Sequence, residues 1–272
     1  MRRLAIRPGG IGDSILGFPA LAHLALDAEL DVWARREVLP LIRFANAVDS
    51  IEATGLGLLG VAAPAERLVE RLRLFDEIVS WYGAGREEFR EALAALHPRV
   101  VFHAALPVDG AMHAADYFAA QVGAALPALP QIEVKVQASR LIVIHPFSGG
   151  AKKNWPLERY LLLGRWLEAS GRAVQFVVAP QQTLAGARVV EDLAELGGVI
   201  AGASLYVGND SGVTHLAAAV GANVLALFGA SNAAVWRPRG ERVSVLDVGD
   251  LDGLSVDRVL DAALTQTGFD QD

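Results

Sequence analysis

The stretch VIAGASLYVGNDSGVTHLAAAVGANVLALFGASNAAVWRP, residues Val199–Pro238, decides how the rest of the chain is read. Its apolar run Leu205–Val207 predicts a buried strand, and Gly208–Gly212 predicts a tight polar turn. A helix opened by His215 follows, ended by Gly221 in a left-handed turn, and Val224–Phe228 predicts a second buried strand. Asp210 or Ser211 can cap that helix. A strand feeding a helix N-terminus through small residues is an anion site. The amides of Ser211, Gly212 and Val213 would point at a phosphate, and Gly212 would let it approach closely. Every βαβ crossover has a strand-to-helix turn, so the turn alone also fits a purely structural role.

The composition around this stretch narrows the classes. With 272 residues the chain can hold two domains of about 135 residues, each with its own core. It is 53% hydrophobic but only 7% aromatic, which suits helices packed on mostly parallel sheets. The absence of cysteine excludes disulfides, thiolate metal sites and cysteine nucleophiles. A net charge of −7 argues against a general nucleic-acid binder. The apolar run Leu4–Ile6 before Arg7 is too short for a secretory signal. Residues 211–236 contain no Lys, Arg, Asp or Glu, but glycines, asparagines and alternating helix and strand patterns interrupt them, so a membrane span is not expected.

At the start of the chain, Leu4–Ile6 predicts a strand that runs through the glycine-rich turn Arg7–Ser14 into a helix over Ile15–Ala28. Glycines at 9, 10 and 12 do not spell a dinucleotide fingerprint, and the second strand, Leu30–Ala34, ends without the acid that would hold a ribose. Asp13 in this turn can cap the helix or face a ligand. Strands near Leu30–Ala34, Ser50–Ala53, Glu77–Ser80 and Val100–His103 alternate with helices near Glu37–Phe44, Pro64–Leu74, Arg86–Leu96 and His113–Gly123. Such alternation predicts a doubly wound parallel sheet. His103 ends a strand on the ligand side, where it could touch substrate or serve as a structural histidine. Arg67 and Arg71 share a helix face that could receive an acidic acceptor or be neutralised by Glu66 and Glu70.

Leu126–Val136, with Pro127 and Pro130, reads as a linker and divides the chain into residues 1–138 and 139–272. The second half opens with the strand Leu141–Ile144, the loop HPFSGGAKKNWP and a helix over Pro156–Ser170. Ser148, Gly149, Lys152 and Lys153 therefore lie at the carboxyl end of a strand, where amides beside an ammonium suit a diphosphate.

Three segments carry a family resemblance. Asn209-Asp210-Ser211-Gly212 with His215-Leu216-Ala217-Ala218-Ala219, the opening GGIGDSILGFPALAHL, and a lysine one residue before Trp155-Pro156 together resemble glycosyltransferase family 9, that of the ADP-heptose:lipopolysaccharide heptosyltransferases. The final helix, Ser255–Thr267, also fits. The resemblance implies an α/β GT-B fold, with two Rossmann-like domains of mostly parallel strands facing across a cleft, acceptor on the first and nucleotide-sugar on the second. It implies an inverting, metal-independent transferase that takes heptose or a similar sugar from an ADP-sugar, with no cofactor, to a lipopolysaccharide-core or other glycan hydroxyl. Asp13 would be the base. Lys153, or Lys152 in its place, would bind the donor with Ser148, Gly149, Asp210, Ser211, Gly212 and His215. Gly10, Gly12, Ser14, His103, Arg67 and Arg71 would face the acceptor. Such an enzyme would work in the cytoplasm, drawn to the inner membrane face by its acceptor. A sugar-nucleotide epimerase and a non-catalytic sugar-nucleotide binder are the rival readings.

One region departs from the family. After the strand Ala173–Val178, the turn Ala179-Pro180-Gln181-Gln182 is expected to lead through a single helix, Thr183–Leu196, straight to Ala203, with one βα step missing. Gln182 then stands where an acid would contact the nucleoside, and weak nucleotide discrimination is expected.

Overall fold

The run Leu4–Ile6 lies in β1 (Arg2–Ile6), the buried central strand of a parallel sheet, where both faces are covered and therefore apolar. It pairs in parallel with β2 (Glu29–Ala34) on one side and with β4 (Glu77–Ser80) on the other. The outer positions go to β3 (Ala47–Ser50) and β5 (Val100–Phe102), giving the order β3-β2-β1-β4-β5. Helices α1 (Ile11–Leu24), α3 (Glu66–Leu72), α4 (Glu87–Leu96) and α5 (Ala114–Gln121) cover this sheet, with one helical turn, α2 (Ile51–Thr54), after β3. Leu4, Ile6, Trp33, Leu68, Leu72, Ile78, Phe89 and Leu93 fill one core. The computed structural model describes residues 1–107 and 110–267, and this sheet belongs to the first of two units, Met1–Ala128.

The second unit begins at Leu129 and repeats the plan. Its strands are β6 (Ile142–His145), β7 (Val174–Val178), β8 (Arg188–Val189), β9 (Leu205–Asn209), β10 (Val224–Phe228) and β11 (Val243–Asp247), all parallel, in the order β11-β10-β9-β6-β7-β8. Counted from its first strand this is 3-2-1-4-5-6, the dinucleotide-fold order. Helices α6 (Leu157–Ala169), α7 (Leu193–Ala201), α8 (Gly212–Ala219), α9 (Ala233–Trp236) and α10 (Val256–Gln266) complete it. β9 and β10 are buried along their whole length, as central parallel strands are. The segment from Leu129 packs onto this unit, since Ile132, Gln137 and Ser139 donate amide hydrogen bonds to Ala219, Gly198 and Gly202 at 2.9, 3.0 and 2.9 Å. Gly202 is required there because the Gln137 carbonyl occupies the space of a Cβ.

Several local expectations are corrected. The helix expected over Glu37–Phe44 is a 3₁₀ segment, Arg36–Leu41, with Pro40 inside it. The strand expected at Ser50–Ala53 lies earlier, at Ala47–Ser50. Its β-branched continuation instead coils into α2, closed by Gly55 at φ +76° and by the Thr54 hydroxyl donating to the Ile51 carbonyl at 2.7 Å. Helix α8 starts at Gly212, three residues before His215, because Ser211 caps it by accepting from the Thr214 amide. The single helix expected over Thr183–Leu196 is a turn, the short strand β8, and α7 capped by Asp192. Gly186 at φ +75° breaks the helical reading. The described second sheet therefore has six strands, with a turn and no helix between β7 and β8.

Candidate functional site

In an open parallel sheet, ligands bind beyond the carboxyl ends of the strands where the strand order reverses. In the second unit that point lies between β6 and β9, and both motifs of this half sit there. The loop after β6 ends in a 3₁₀ turn at Ala151–Lys153, and Lys153 Nζ donates to Asp210 Oδ2, just past β9, at 2.7 Å. Asp210 is buried, whereas the Lys153 side chain is 43% exposed. The pair therefore has a solvent side.

The one-residue gap between lysine and Trp-Pro has a physical basis. Trp155 is buried, donates its indole N–H to the Leu254 carbonyl at 2.9 Å and meets Tyr160 edge-on at 4.8 Å. Its amide donates to Asn209 Oδ1 at 2.9 Å, which joins the β6 loop to the end of β9. Asn209, fully buried, also accepts from the Tyr160 hydroxyl at 2.8 Å and donates to the Pro146 carbonyl at 2.8 Å. Asn154 Oδ1 takes a further, longer bond from it at 3.3 Å. The Thr214 hydroxyl donates to the Asn209 carbonyl and lies 3.1 Å from both the Ser211 and Tyr206 hydroxyls. Burial raises the ionisation of Tyr206 and Tyr160 well above the usual phenol range, so both remain neutral donors. The sequence reading passed over this Asn209-centred network, although a buried polar residue ending an apolar strand signals it, because such a group must be hydrogen-bonded.

Ser211 satisfies the Thr214 amide, and the Gly212 and Val213 amides in the first turn of α8 carry no partner among the described residues. Two free amides and a half-exposed ammonium thus lie at the switch point, and donors of this kind can hold an anion. Ser148 bonds with the main chain of Gly150, and Gly149 is exposed with open space where a Cβ would stand. Lys152 is exposed beside them, and His215 is buried on α8. Gln182 is engaged elsewhere: its Oε1 accepts from the Ala179 amide at 2.9 Å, and its side chain lies near His145. His145 ends β6 almost fully buried, and burial lowers it to about 4, so the imidazole is neutral.

In the first unit the order reverses between β1 and β4, and the Gly9–Asp13 turn follows β1. Gly9 at φ +113° is held where a Cβ would strike Asp13. Asp13 Oδ2 accepts from the Gly10 amide at 3.1 Å, while Oδ1 has no partner among the described residues. One carboxylate thus caps the helix and leaves an oxygen free. Gly10 is exposed and Gly12 half-buried, but Ser14 is fully buried with its hydroxyl turned inward.

A cavity of about 700 Å³ opens beside this turn, lined by Pro8, Trp81, Arg86, Arg90, Phe102 and His103 among others. The His103 ring meets that of Trp81 at a tilt, 5.3 Å between centres, and burial lowers its pKa. Arg67 and Arg71 are not part of that wall. Arg67 is exposed on α3, and Arg71 pairs with Asp49 at 2.8 Å while lying 4.6 Å over the Trp33 ring. Neither Glu66 nor Glu70 neutralises Arg71; an aspartate on a neighbouring strand does. Among the described residues no cluster of three or more histidines and carboxylates could hold a metal ion.

Comparisons with known proteins bear on the family and the fold. The pattern of Glycosyltransferase family 9 (heptosyltransferase) matches residues 99–254, more than half of the chain, spanning the Lys153 and Asp210 motifs and beginning after Asp13. No match is found among curated protein sequences. Among solved structures, Escherichia coli ADP-heptose lipopolysaccharide heptosyltransferase II is 19% identical over 98% of each chain, with a TM-score of 0.75. The family 9 glycosyl transferase of Veillonella parvula DSM 2008 is 17% identical over 98% of this chain and 97% of its own, also at 0.75. Escherichia coli heptosyltransferase WaaC with ADP is 18% identical over 98% and 100%, at 0.68. The iron-containing dodecameric glycosyltransferase TibC of enterotoxigenic Escherichia coli is 15% identical over 89% of this chain and 61% of its own, at 0.60. At these identities the likeness is one of fold, and the two parallel sheets match GT-B-like heptosyltransferases. With the family pattern covering the loops that build the anion site, the chain belongs to glycosyltransferase family 9, the heptosyltransferases.

Proposed function

We propose that this chain moves heptose or a closely similar sugar from an ADP-sugar to a hydroxyl of a lipopolysaccharide core or other glycan, with inversion and without a metal. The observation that carries this reading is the Lys153–Asp210 pair beside the free Gly212 and Val213 amides, donors of the kind that hold a diphosphate. WaaC, solved with ADP and with ADP-2-deoxy-2-fluoro heptose, supports the choice of donor.

In the transfer, the acceptor oxygen attacks the anomeric carbon as the bond from that carbon to the diphosphate oxygen breaks. The acceptor proton passes to Asp13, and ADP leaves with the bonding electrons. Lys153 and the two amides stabilise the charge that develops on the leaving diphosphate. A glycine at 149 lets phosphate oxygens approach the main chain, and Asp210 orients Lys153 and accepts from sugar hydroxyls. No covalent intermediate is needed, so a single displacement inverts the anomeric centre. The cavity that Pro8 lines at the start of the Asp13 turn, walled by Trp81 and His103, holds the acceptor sugar, because aromatic faces with a few polar groups suit a pyranose.

A complete six-stranded second sheet favours a working donor site over a non-catalytic relative. The enzyme acts on the cytoplasmic side of the membrane that carries its acceptor. Incubation of the protein with ADP-heptose and a core oligosaccharide, followed by mass measurement, tests the reading. Growth of the acceptor by one heptose with release of ADP supports it; an isomerised donor with unchanged acceptor favours an epimerase; unaltered reactants overturn both.

A further inference from the structure

Behind the Asp13 turn lies a cation that the transfer described above does not use. Arg7 follows β1 and is 1% exposed, yet among the described residues its guanidinium makes a single hydrogen bond, from Nη2 to the Asp13 carbonyl at 2.9 Å. Its Nε and Nη1 are buried with no partner among the described residues. The charge is held by rings instead: the guanidinium carbon lies 3.9 Å from the Phe118 ring centre on α5 and 5.7 Å from that of Trp81, just past β4. Helix α1 makes room for it, since a Cβ on Gly17 would come within 2.7 Å of Nε. Burial lowers Arg7 to about 10, so it stays charged at neutral pH.

Such a group is expensive where an apolar side chain of similar volume would fill the space. Its contacts state what it connects. Trp81 lines the cavity, touches the His103 ring and donates its indole N–H to Gln121 at 2.6 Å; Gln121 in turn donates to the Ala104 carbonyl at 3.0 Å. Arg7 is the joint between this wall and the turn that carries Asp13.

We propose that Arg7 is a positioning residue for Asp13, pinning its turn to the Trp81–Phe118 wall so that the free carboxylate oxygen keeps one orientation toward a hydroxyl held in the adjoining cavity. The proposal rests on the reading of Asp13 as the base. It acts on proton removal from the acceptor and leaves the donor site in the second unit untouched.

A double-mutant cycle tests it, with initial rates measured on ADP-heptose and the core oligosaccharide. Arg7→Met, which keeps bulk and removes the charge, should lower kcat about tenfold to hundredfold with donor KM unchanged, and Arg7→Lys should recover part of the loss. Arg7→Met added to Asp13→Asn should cost almost nothing more, because a residue that acts through Asp13 has nothing left to position. Full multiplication of the two losses overturns the proposal while leaving Asp13 as base; so does a normal kcat in Arg7→Met, or a loss confined to donor KM. Parent-like turnover of Asp13→Asn overturns the base assignment and this inference together. Should Arg7→Met not fold by circular dichroism, Arg7→Lys and Phe118→Leu carry the same cycle. Amide hydrogen exchange over residues 10–14 reads the pin without turnover: it should quicken at least about tenfold in Arg7→Met or Arg7→Lys, and unchanged exchange overturns the proposal.

Discussion

Asp13 and Lys153 belong to different units and to different stages of the proposed reaction, so single substitutions separate their roles. Asp13→Asn retains the shape and the bond from the Gly10 amide but cannot take a proton. Turnover should fall by about 10²–10⁴ while calorimetric titration finds ADP bound as tightly as by the parent. Parent-like turnover would reduce Asp13 to the cap it also is. Lys153 contacts the diphosphate in ground and transition states alike, so Lys153→Ala should weaken ADP itself. Its half-exposed side chain places the effect near tenfold, about 1.4 kcal/mol. The substitution also strands Asp210, a buried carboxylate, and should lower the melting temperature unless Asp210→Asn is added. An unchanged ADP affinity would move the phosphate contact to Lys152.

At the scale of elements, the end of β6 and the turn between β7 and β8 form one device through His145 and Gln182. His145 is lowered to about 4 by burial, against an unfolded value near 6.5. Below the unfolded value the unfolded chain binds a proton that the folded chain refuses. Stability is thus fully present above about pH 6.5 and is lost as pH falls toward 4, by an amount on the order of 3 kcal/mol. His145→Gln should flatten the melting temperature between pH 6.5 and 4.5, and an unchanged slope would show that His145 is not the group responsible. The same turn replaces a helix, and its Gln182 is committed inward. Nucleotide discrimination should accordingly be weak, with ADP bound less than about a hundredfold more tightly than UDP or GDP. A larger preference would mean that the adenine contacts come from other loops.

For the whole molecule, the proposal that lysine and amides do the work of a metal predicts that transfer survives EDTA. Loss of turnover on chelation, restored by Mg²⁺, Mn²⁺ or iron, would refute it, and TibC, described as iron-containing, makes the iron arm worth including. The fold at this scale is two parallel sheets, of five and six strands, each with its motif at the reversal of strand order. Among the described residues no helix is long and apolar enough to cross a membrane, so the charge-free run 211–236 is instead α8, β10 and α9 inside the second unit.

The local order of residues was enough for what depends on near neighbours in the chain. Apolar runs such as Val224–Phe228 specify central strands, Gly221 at φ +77° stops α8, and the Asn-Asp-Ser-Gly and Lys-x-Trp-Pro motifs mark the loops at the strand ends. Where a short segment had two local solutions, tertiary contacts chose. Ala47–Ser50 becomes the strand because β2 offers an edge for it, leaving Ile51–Thr54 to coil, and residues 180–192 divide into turn and strand because β7 offers an edge for Arg188 and Val189. Pairings across long separations were not legible at all. Arg71 with Asp49, Trp155 with Asn209, and Arg7 between Phe118 and Trp81 depend on which strands and helices become neighbours. The energy of a buried polar group is decided by the partner it meets in space, which a one-dimensional pattern does not contain.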